Sequence, residues 1–448
     1  MKYLVALAAL AALASCATEQ AEDSTANLDC RSGVYRSDAG EVLALTPTSN
    51  GGYRWRMPDG RTGALRPEGQ SWRSTLGWTG EPDGLTVDLS ACAEGVLRLG
   101  LTQAPAAYNR VAIETIETTF ERDGVTLAGR LLLPPTDDPA PLVVHVHGSG
   151  SYSVLQFEGY PWMLAAEGLA VFVYDKRGTG ASTGQYTQDF HVLAADARAA
   201  LDEARRLAGS RVSRAGFMGL SQGGWVAPLA ASEANVDFVV ALYGLAVNPL
   251  QEDRYEVMQS LERAGWGDAE QAKGAELSAA AGEIVASNFR EGFAEFDRLR
   301  RDYRHEPWFK DVEGEFTHEM LPYPAIALRV VGPSRNRGTS WRYEPVPVLR
   351  ALTAPQFWII AADDTEAPPA QTIARLRALQ QEGLAIDLAI YPGADHGMIL
   401  TERRPTGEPR QTRYVQNYYR QIASWIRSGD LSYARDAGAD VYEAAASE

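Results

Sequence analysis

From about residue 142 onward, runs of β-forming residues alternate with amphipathic helical stretches, and this pattern allows very few architectures. Leu142-Val143-Val144-His145-Val146, Ala170-Val171-Phe172-Val173-Tyr174, Arg214-Ala215-Gly216-Phe217-Met218 and Phe238-Val239-Val240-Ala241-Leu242-Tyr243 are largely apolar strand-like runs. Helical stretches such as residues 192–207 separate them. A strand with one wet face alternates in polarity, whereas an uninterrupted apolar strand is buried on both faces, and intervening helices bring successive strands parallel. The expected fold is α/β, with a doubly wound, mostly parallel sheet. Thr118-Thr119-Phe120 and residues 126–134 flank Asp123-Gly124, a turn signal that predicts an antiparallel hairpin leading into that sheet.

The pattern stops between about 249 and 342, where Glu, Ala, Arg and aromatic residues dominate and stretches 252–264 and 269–288 read as helices. This segment is expected to be a helical cap insertion over the sheet, the alternative being a separate domain. The sheet pattern resumes at Gln356-Phe357-Trp358-Ile359-Ile360 and at residues 385–391. A final helix is expected over 412–426, followed by a small, charged tail that should fray. The expected division is therefore an α/β sheet domain over 111–248 and 343–428, a cap over 249–342, and a tail over 429–448.

Before residue 110 the chain is different. Ser49-Asn50-Gly51-Gly52 and Pro58-Asp59-Gly60 mark turns, and Tyr53-Arg54-Trp55-Arg56-Met57 alternates with the period of a half-buried strand. Residues 28–110 read as a small β-rich domain in which Trp55, Trp72 and Trp78 are expected in the core rather than on a ligand-stacking face. Cys30 and Cys92, the cysteines of the body of the chain, are expected to pair as a disulfide if the compartment is oxidising.

The first residues point to such a compartment. Lys2 precedes an apolar run of about ten residues, too short to span a bilayer but suited to a secretory signal. Leu13-Ala14-Ser15-Cys16 resembles a bacterial lipobox, in which cleavage precedes the cysteine and its thiol is lipidated. The resemblance implies a signal peptide over 1–15, a tether over 16–27, a lipid anchor on Cys16, and a place on the outer membrane facing the periplasm of a Gram-negative cell. With 42 basic and 58 acidic residues the net charge is -16, which disfavours nucleic acid as a partner.

The chemistry is concentrated in four loops. Gly219-Leu220-Ser221-Gln222-Gly223 follows a strand and precedes a small-residue helix. A Ser at such a tight turn is held in a strained backbone with its hydroxyl above the sheet, and small neighbours are needed on either side. His147-Gly148-Ser149-Gly150 ends an earlier strand, where glycines let backbone amides turn toward a carbonyl oxygen. The amides of Gln222 and Ser149 are the expected oxyanion donors. His145 and His147 form an H-x-H pair, but no further ligand falls near them in sequence, so neither a metal nor any other cofactor is expected. After the last strands come Asp363-Asp364 and then Asp395-His396, giving the order Ser, Asp, His. His396 is the expected base, with Asp363, Asp364 and Asp395 as candidates for its supporting acid.

Residues from about 118 to 245 and from about 356 to 425 resemble the α/β-hydrolase superfamily, and more narrowly bacterial esterases and serine-aminopeptidase-like hydrolases with an N-terminal β domain. The fourth residue after Ile360, Asp364, is the one that resembles the superfamily's acid. Tyr174-Asp175-Lys176-Arg177-Gly178-Thr179-Gly180 resembles a loop whose Asp175 and Arg177 are structural, as is Asp196. Ala361-Ala362 departs from the glycine common at that point. The resemblance implies a serine hydrolase acting on a small-molecule ester or acyl substrate through Ser221, Asp364 and His396. A peptidase, amidase or thioesterase on the same triad is the alternative, and a non-catalytic envelope-binding lipoprotein a more distant one.

Overall fold

A computed structural model describes residues 30–69, 71–101, 106–404 and 406–445. Cys16 and its lipobox lie outside the described residues.

The N-terminal unit is a closed antiparallel barrel of strands β1 (Gly33–Ser37), β2 (Val42–Pro47), β3 (Tyr53–Arg56), β4 (Thr62–Glu68), β5 (Ser71–Leu76), β6 (Pro82–Asp88), β7 (Val96–Leu101) and β8 (Ala106–Arg110). Alternate residues fill it: Tyr35, Leu43, Leu45, Trp55, Leu65 and Leu97 form its core. Closure removes the exposed strand edges that a sheet this small would otherwise present. Trp55 is core, its indole N–H donating to Ser74 Oγ at 2.8 Å. Trp72 packs partly buried against that core. Trp78 departs from expectation. It lies outside the core, edge-on to Tyr414 at 5.0 Å, with the Arg54 guanidinium 4.4 Å over its ring.

Cys30 and Cys92 are bonded across a sequence separation of 62. A closed loop of that length confers about 4 kcal/mol in the chain-entropy account. Replacing both cysteines by Ala is therefore expected to lower the guanidinium midpoint of the barrel, and an unchanged midpoint would refute that value.

The second unit is built on a nine-stranded sheet in the order β20-β16-β15-β14-β13-β11-β12-β10-β9. Its strands are β9 (Glu114–Arg122), β10 (Val125–Leu133), β11 (Ala140–Val146), β12 (Ala170–Tyr174), β13 (Val212–Leu220), β14 (Phe238–Leu242), β15 (Gln356–Ala361), β16 (Ile386–Tyr391) and β20 (Asp440–Tyr442). Strands β11 to β16 run parallel, and β9 and β10 form the antiparallel hairpin around Asp123 and Gly124. Every residue of β11, β12 and β14 is buried, as uninterrupted apolar runs require. Helices Phe190–Ala208 and Gly223–Ser232 cover one face, and Tyr160–Ala166 and Tyr418–Ser428 the other. Asp189 starts the first of these by accepting the amides of His191 and Val192.

Helices Pro249–Arg263, Asp268–Ala286, Phe293–Tyr303 and Ala325–Arg335 are the longer helices of the insertion between β14 and β15. Asn248 and Gln251 form a capping box at its entry, with Pro249 in the first turn. The insertion has its own apolar core around Leu277, Ile284, Phe296 and Phe316.

Two expectations at the C-terminal end are corrected. Strands β17 (Ala394–Asp395), β18 (Ile399–Arg403) and β19 (Pro409–Tyr414) form a separate small sheet, so residues 412–414 are strand and the last long helix begins at Tyr418. Charged residues on a hairpin with one wet face concealed these strands. The tail does not simply fray, because β20 (Asp440–Tyr442) pairs antiparallel with β16. Gln380 Nε2 also holds the carbonyl of Tyr442 at 3.3 Å.

The β18–β19 hairpin joins the two units. Trp78 N–H donates to Gln411 O at 3.0 Å, and Tyr414 N–H to Gly60 O at 2.9 Å. Gly77 makes the contact possible: a Cβ there would lie 2.5 Å from the carbonyl oxygen of Thr412.

Candidate active site

The four chemically loaded loops leave the C-terminal ends of the parallel strands β11, β13, β15 and β16 and meet above the sheet. Ser221 follows β13 in a left-handed conformation, φ +52°, which costs a non-glycine residue about 1–3 kcal/mol. Its neighbours must be small: a Cβ on Gly219 would lie 1.9 Å from Gly223 O, and one on Gly223 2.3 Å from Val146 O. Ser221 Oγ lies 3.2 Å from His396 Nε2, and His396 Nδ1 lies 2.8 Å from Asp364 Oδ2.

Of the three acid candidates, the one facing the imidazole is Asp364. It is 2% exposed, and its other oxygen accepts the amides of Glu366 at 3.0 Å and Ala367 at 2.8 Å. Asp363 points away and accepts the Gly393 amide at 2.7 Å. Asp395 accepts the His396 amide at 2.8 Å and the Thr365 amide at 3.1 Å, which ties two loops together. Burial lowers the pKa of His396, but the hydrogen bond and charge of Asp364, with Glu366 and Asp395 adding, outweigh it and leave the imidazole above its ordinary value. Tyr243 packs edge-on to the ring at 4.8 Å.

The Gln222 and Ser149 amides are committed to no acceptor among the described residues. Gly148 brings the second loop close, since a Cβ on it would lie 3.3 Å from Ser221 Cβ. His145 and His147 are buried, and the ring nitrogens of His145 have no hydrogen-bond partner among the described residues. Burial, followed by the charge of Lys176, pushes His147 well below its ordinary pKa. Among the described residues no group of three or more His, Cys, Asp or Glu is placed to hold a metal ion. Asp175 accepts the Ser153 hydroxyl at 2.9 Å and the amides of Leu155 and Ala181, each at 3.2 Å. Arg177 grips the buried Asp196 through two nitrogens, the Nε contact at 2.7 Å. These contacts pin the loops.

Sequence reasoning did not find the acidic side chains that the insertion brings over the site. Gln259 Nε2 donates to Asp364 O at 3.1 Å, which places helix Pro249–Arg263 directly above the acid loop. On that helix, burial pushes the pKa of Glu252 well up, with the charges of Glu315, Glu256, Asp253 and Asp364 adding. Glu256 is pushed up to about 8 by burial and by Asp253 and Glu315. Asp253 itself is satisfied, accepting from Ser278, Thr317 and two backbone amides. Only a helix periodicity combined with knowledge of the docking face could have indicated this cluster.

Because the folded pKa of Glu256 exceeds its unfolded value, the protein loses stability as pH rises from about 4.5 through about 8. Glu256→Gln is expected to raise stability at pH 8.5 by about 2–4 kcal/mol after screening, and to leave it nearly unchanged at pH 4.5. Thermal melts at the two pH values check this; equal shifts at both would overturn it.

Beside His396 a cavity of about 430 Å³ opens between the two units. Tyr243, Gly397 and Ile399 wall it from the sheet side, and Arg56 and Trp78 from the barrel.

A serine on a strand-to-helix turn, with aspartate and histidine on later strand ends of a doubly wound sheet, has the arrangement of an α/β hydrolase. The chain belongs to the Alpha/beta hydrolase family, which it matches over residues 143–407, more than half its length. It is 30% identical over 120 residues to the quorum-quenching protein AidA of Acinetobacter baumannii, a match that covers 26% of this chain. The chain spans only 40% of that relative's length. Among solved structures it is similar to the Pyrococcus furiosus esterase Pf2001, with TM-score 0.40 and 18% identity over 64% of this chain and 84% of that one. It is also similar to the proline iminopeptidase of Mycobacterium smegmatis, with TM-score 0.41 and 18% identity over 71% of this chain and 99% of that one.

Proposed function

We propose that the chain is a serine hydrolase that cleaves carboxylic esters through an acyl-enzyme. The observation that carries this reading is the continuous relay from Ser221 Oγ to His396 at 3.2 Å and on to the buried Asp364 at 2.8 Å. In this reading His396 Nε2 takes the hydroxyl proton as Ser221 Oγ attacks the ester carbonyl. The Gln222 and Ser149 amides receive the developing oxyanion, and His396 returns the proton to the leaving alkoxide. Water, deprotonated by His396, then attacks the acyl-enzyme, and the acid is released as the Ser221 Oγ–acyl bond breaks and His396 returns the proton to Ser221 Oγ.

A second reading has its own observation. Glu252, Glu256 and Glu315 are electrostatically coupled over the acid loop, and such a cluster favours a substrate with an amine near the scissile bond, as in an aminoacyl amide. A panel of nitrophenyl esters, thioesters and aminoacyl anilides, run after labelling with a fluorophosphonate, separates the two. Ester turnover is expected to be fastest; faster anilide turnover would move the assignment to the amidase reading. A folded protein that the probe does not label would overturn both.

We further propose that Cys16 carries a lipid and anchors the protein in the cell envelope. The Leu13-Ala14-Ser15-Cys16 pattern supports this, as does the Cys30–Cys92 bond, which suits an oxidising compartment. No described helix is long and apolar enough to cross a membrane. Absence of palmitate incorporation on expression in a Gram-negative host would refute the anchor.

A further inference from the structure

Behind the loop 147–150 lies a charged group that the chemistry above does not use. Lys176, just beyond β12, is 3% exposed, and its Nζ donates to the carbonyl oxygen of Gly148 at 2.7 Å. No carboxylate pairs with it among the described residues; the adjacent Asp175 is turned toward Ser153 and the amides of Leu155 and Ala181. The Tyr186 ring lies 5.0 Å from the ammonium. Tyr186 in turn donates its hydroxyl to the next carbonyl, that of Ser149, and accepts from Gln188 Nε2 at 3.1 Å. Two successive carbonyls of one loop are therefore gripped by side chains of the segment that follows β12.

Burying an ammonium without a counter-ion is costly, and burial here pushes the Lys176 pKa down to about 7. A methionine would fill the same space without that cost, so the charge calls for a reason beyond packing. Peptide geometry supplies one. In a trans peptide the carbonyl oxygen and the following N–H point in opposite directions, and the structure contains no cis peptide bond among its described residues. Turning Gly148 O toward Lys176 therefore turns the Ser149 N–H the other way. Gly148 lies on the nucleophile, with a Cβ there only 3.8 Å from Ser221 Oγ. A positive charge on the carbonyl end also polarises the amide and strengthens its N–H as a donor.

We propose that Lys176 is the positioning residue of the oxyanion hole. Its ammonium clamps the Gly148 carbonyl so that the Ser149 N–H faces the oxygen on which charge develops, and Tyr186 secures the next peptide in the same way. The inference rests on the serine-hydrolase reading with Ser149 as a donor. A clamp of this kind acts on the tetrahedral state and not on ground-state binding.

Lys176→Met tests it. Loss of one aligned oxyanion donor lowers kcat by about a hundredfold or more, and that is the expected effect, with KM within about threefold. The Ki of a trifluoromethyl ketone, which forms a tetrahedral hemiketal on the serine, should rise by the same factor as kcat/KM falls. The thermal midpoint should stay level or rise, because a buried charge is removed. Wild-type kcat and Ki in the variant would overturn the proposal, as would a loss expressed only in KM. Tyr186→Phe removes a single hydroxyl and gives an independent reading, should the first variant fail to fold. A severalfold fall in kcat with a matching rise in Ki is expected, and unchanged values would count against the clamp. If the wild-type protein itself resists both fluorophosphonate and ketone, the underlying serine-hydrolase reading has failed instead.

Discussion

Ser221→Ala is expected to lower kcat by about a millionfold, the scale on which removing the nucleophile disables a Ser-His-Asp relay, and to abolish fluorophosphonate labelling. The fold should survive. Ala keeps the left-handed backbone at φ +52° with strain similar to that of Ser, and only the 3.2 Å contact with His396 is lost. Ser221→Gly is a useful companion, since it should be equally inactive yet more stable by about 1 kcal/mol, glycine adopting positive φ without penalty. Turnover by Ser221→Ala above that of a mock purification would remove the central claim. A drop in Tm large enough to unfold the variant at assay temperature would show the loss to be structural.

Asp364→Asn is expected to reduce kcat by about ten-thousandfold at neutral pH. The amide can keep Oδ1 on the Glu366 and Ala367 N–H groups, which turns its NH₂ toward His396 Nδ1. The imidazole must then carry its proton on Nε2, where it cannot accept one from Ser221. The acid limb of the rate profile should also move to lower pH, because Asp364 supplies the largest of the contributions that raise the His396 pKa. Asp363→Asn is expected to stay within about threefold of wild type, since its carboxylate only accepts the Gly393 amide at 2.7 Å and an Asn oxygen can do the same. If the large loss fell on Asp363, the geometry at this loop would be wrong by one residue.

Some of this was open to a reader of the chain alone, and for local reasons. Unbroken apolar strands such as β11 and β14 can only be buried on both faces. Asp123-Gly124 specifies a tight hairpin. Glycines on both sides of Ser221 reflect clashes arising within a few residues of the turn. Helices Pro249–Arg263 and Asp268–Ala286 were legible from their helix-favouring composition, rich in Glu, Ala and Arg. The β18–β19 hairpin and the edge strand β20 were not, because their pairing partners lie far off in sequence and their own polarity resembles that of a loop.

What the sequence by itself determined is therefore what short-range sterics and periodicity control: the doubly wound sheet, the strained serine turn, and the order Ser, Asp, His. Of the two adjacent aspartates, the sequence singled out Asp364 only through its resemblance to the superfamily's acid; the tertiary structure supplied the physical reason, because side-chain direction on a loop depends on which amides surround it. It alone brought Glu252 and Glu256 over the acid loop and placed Trp78 beside a cavity instead of in the barrel core. It alone carried Lys176 to the Gly148 carbonyl, 28 residues away along the chain. Each of these depends on one element packing against another, and a contact between distant segments leaves no mark on either one read alone.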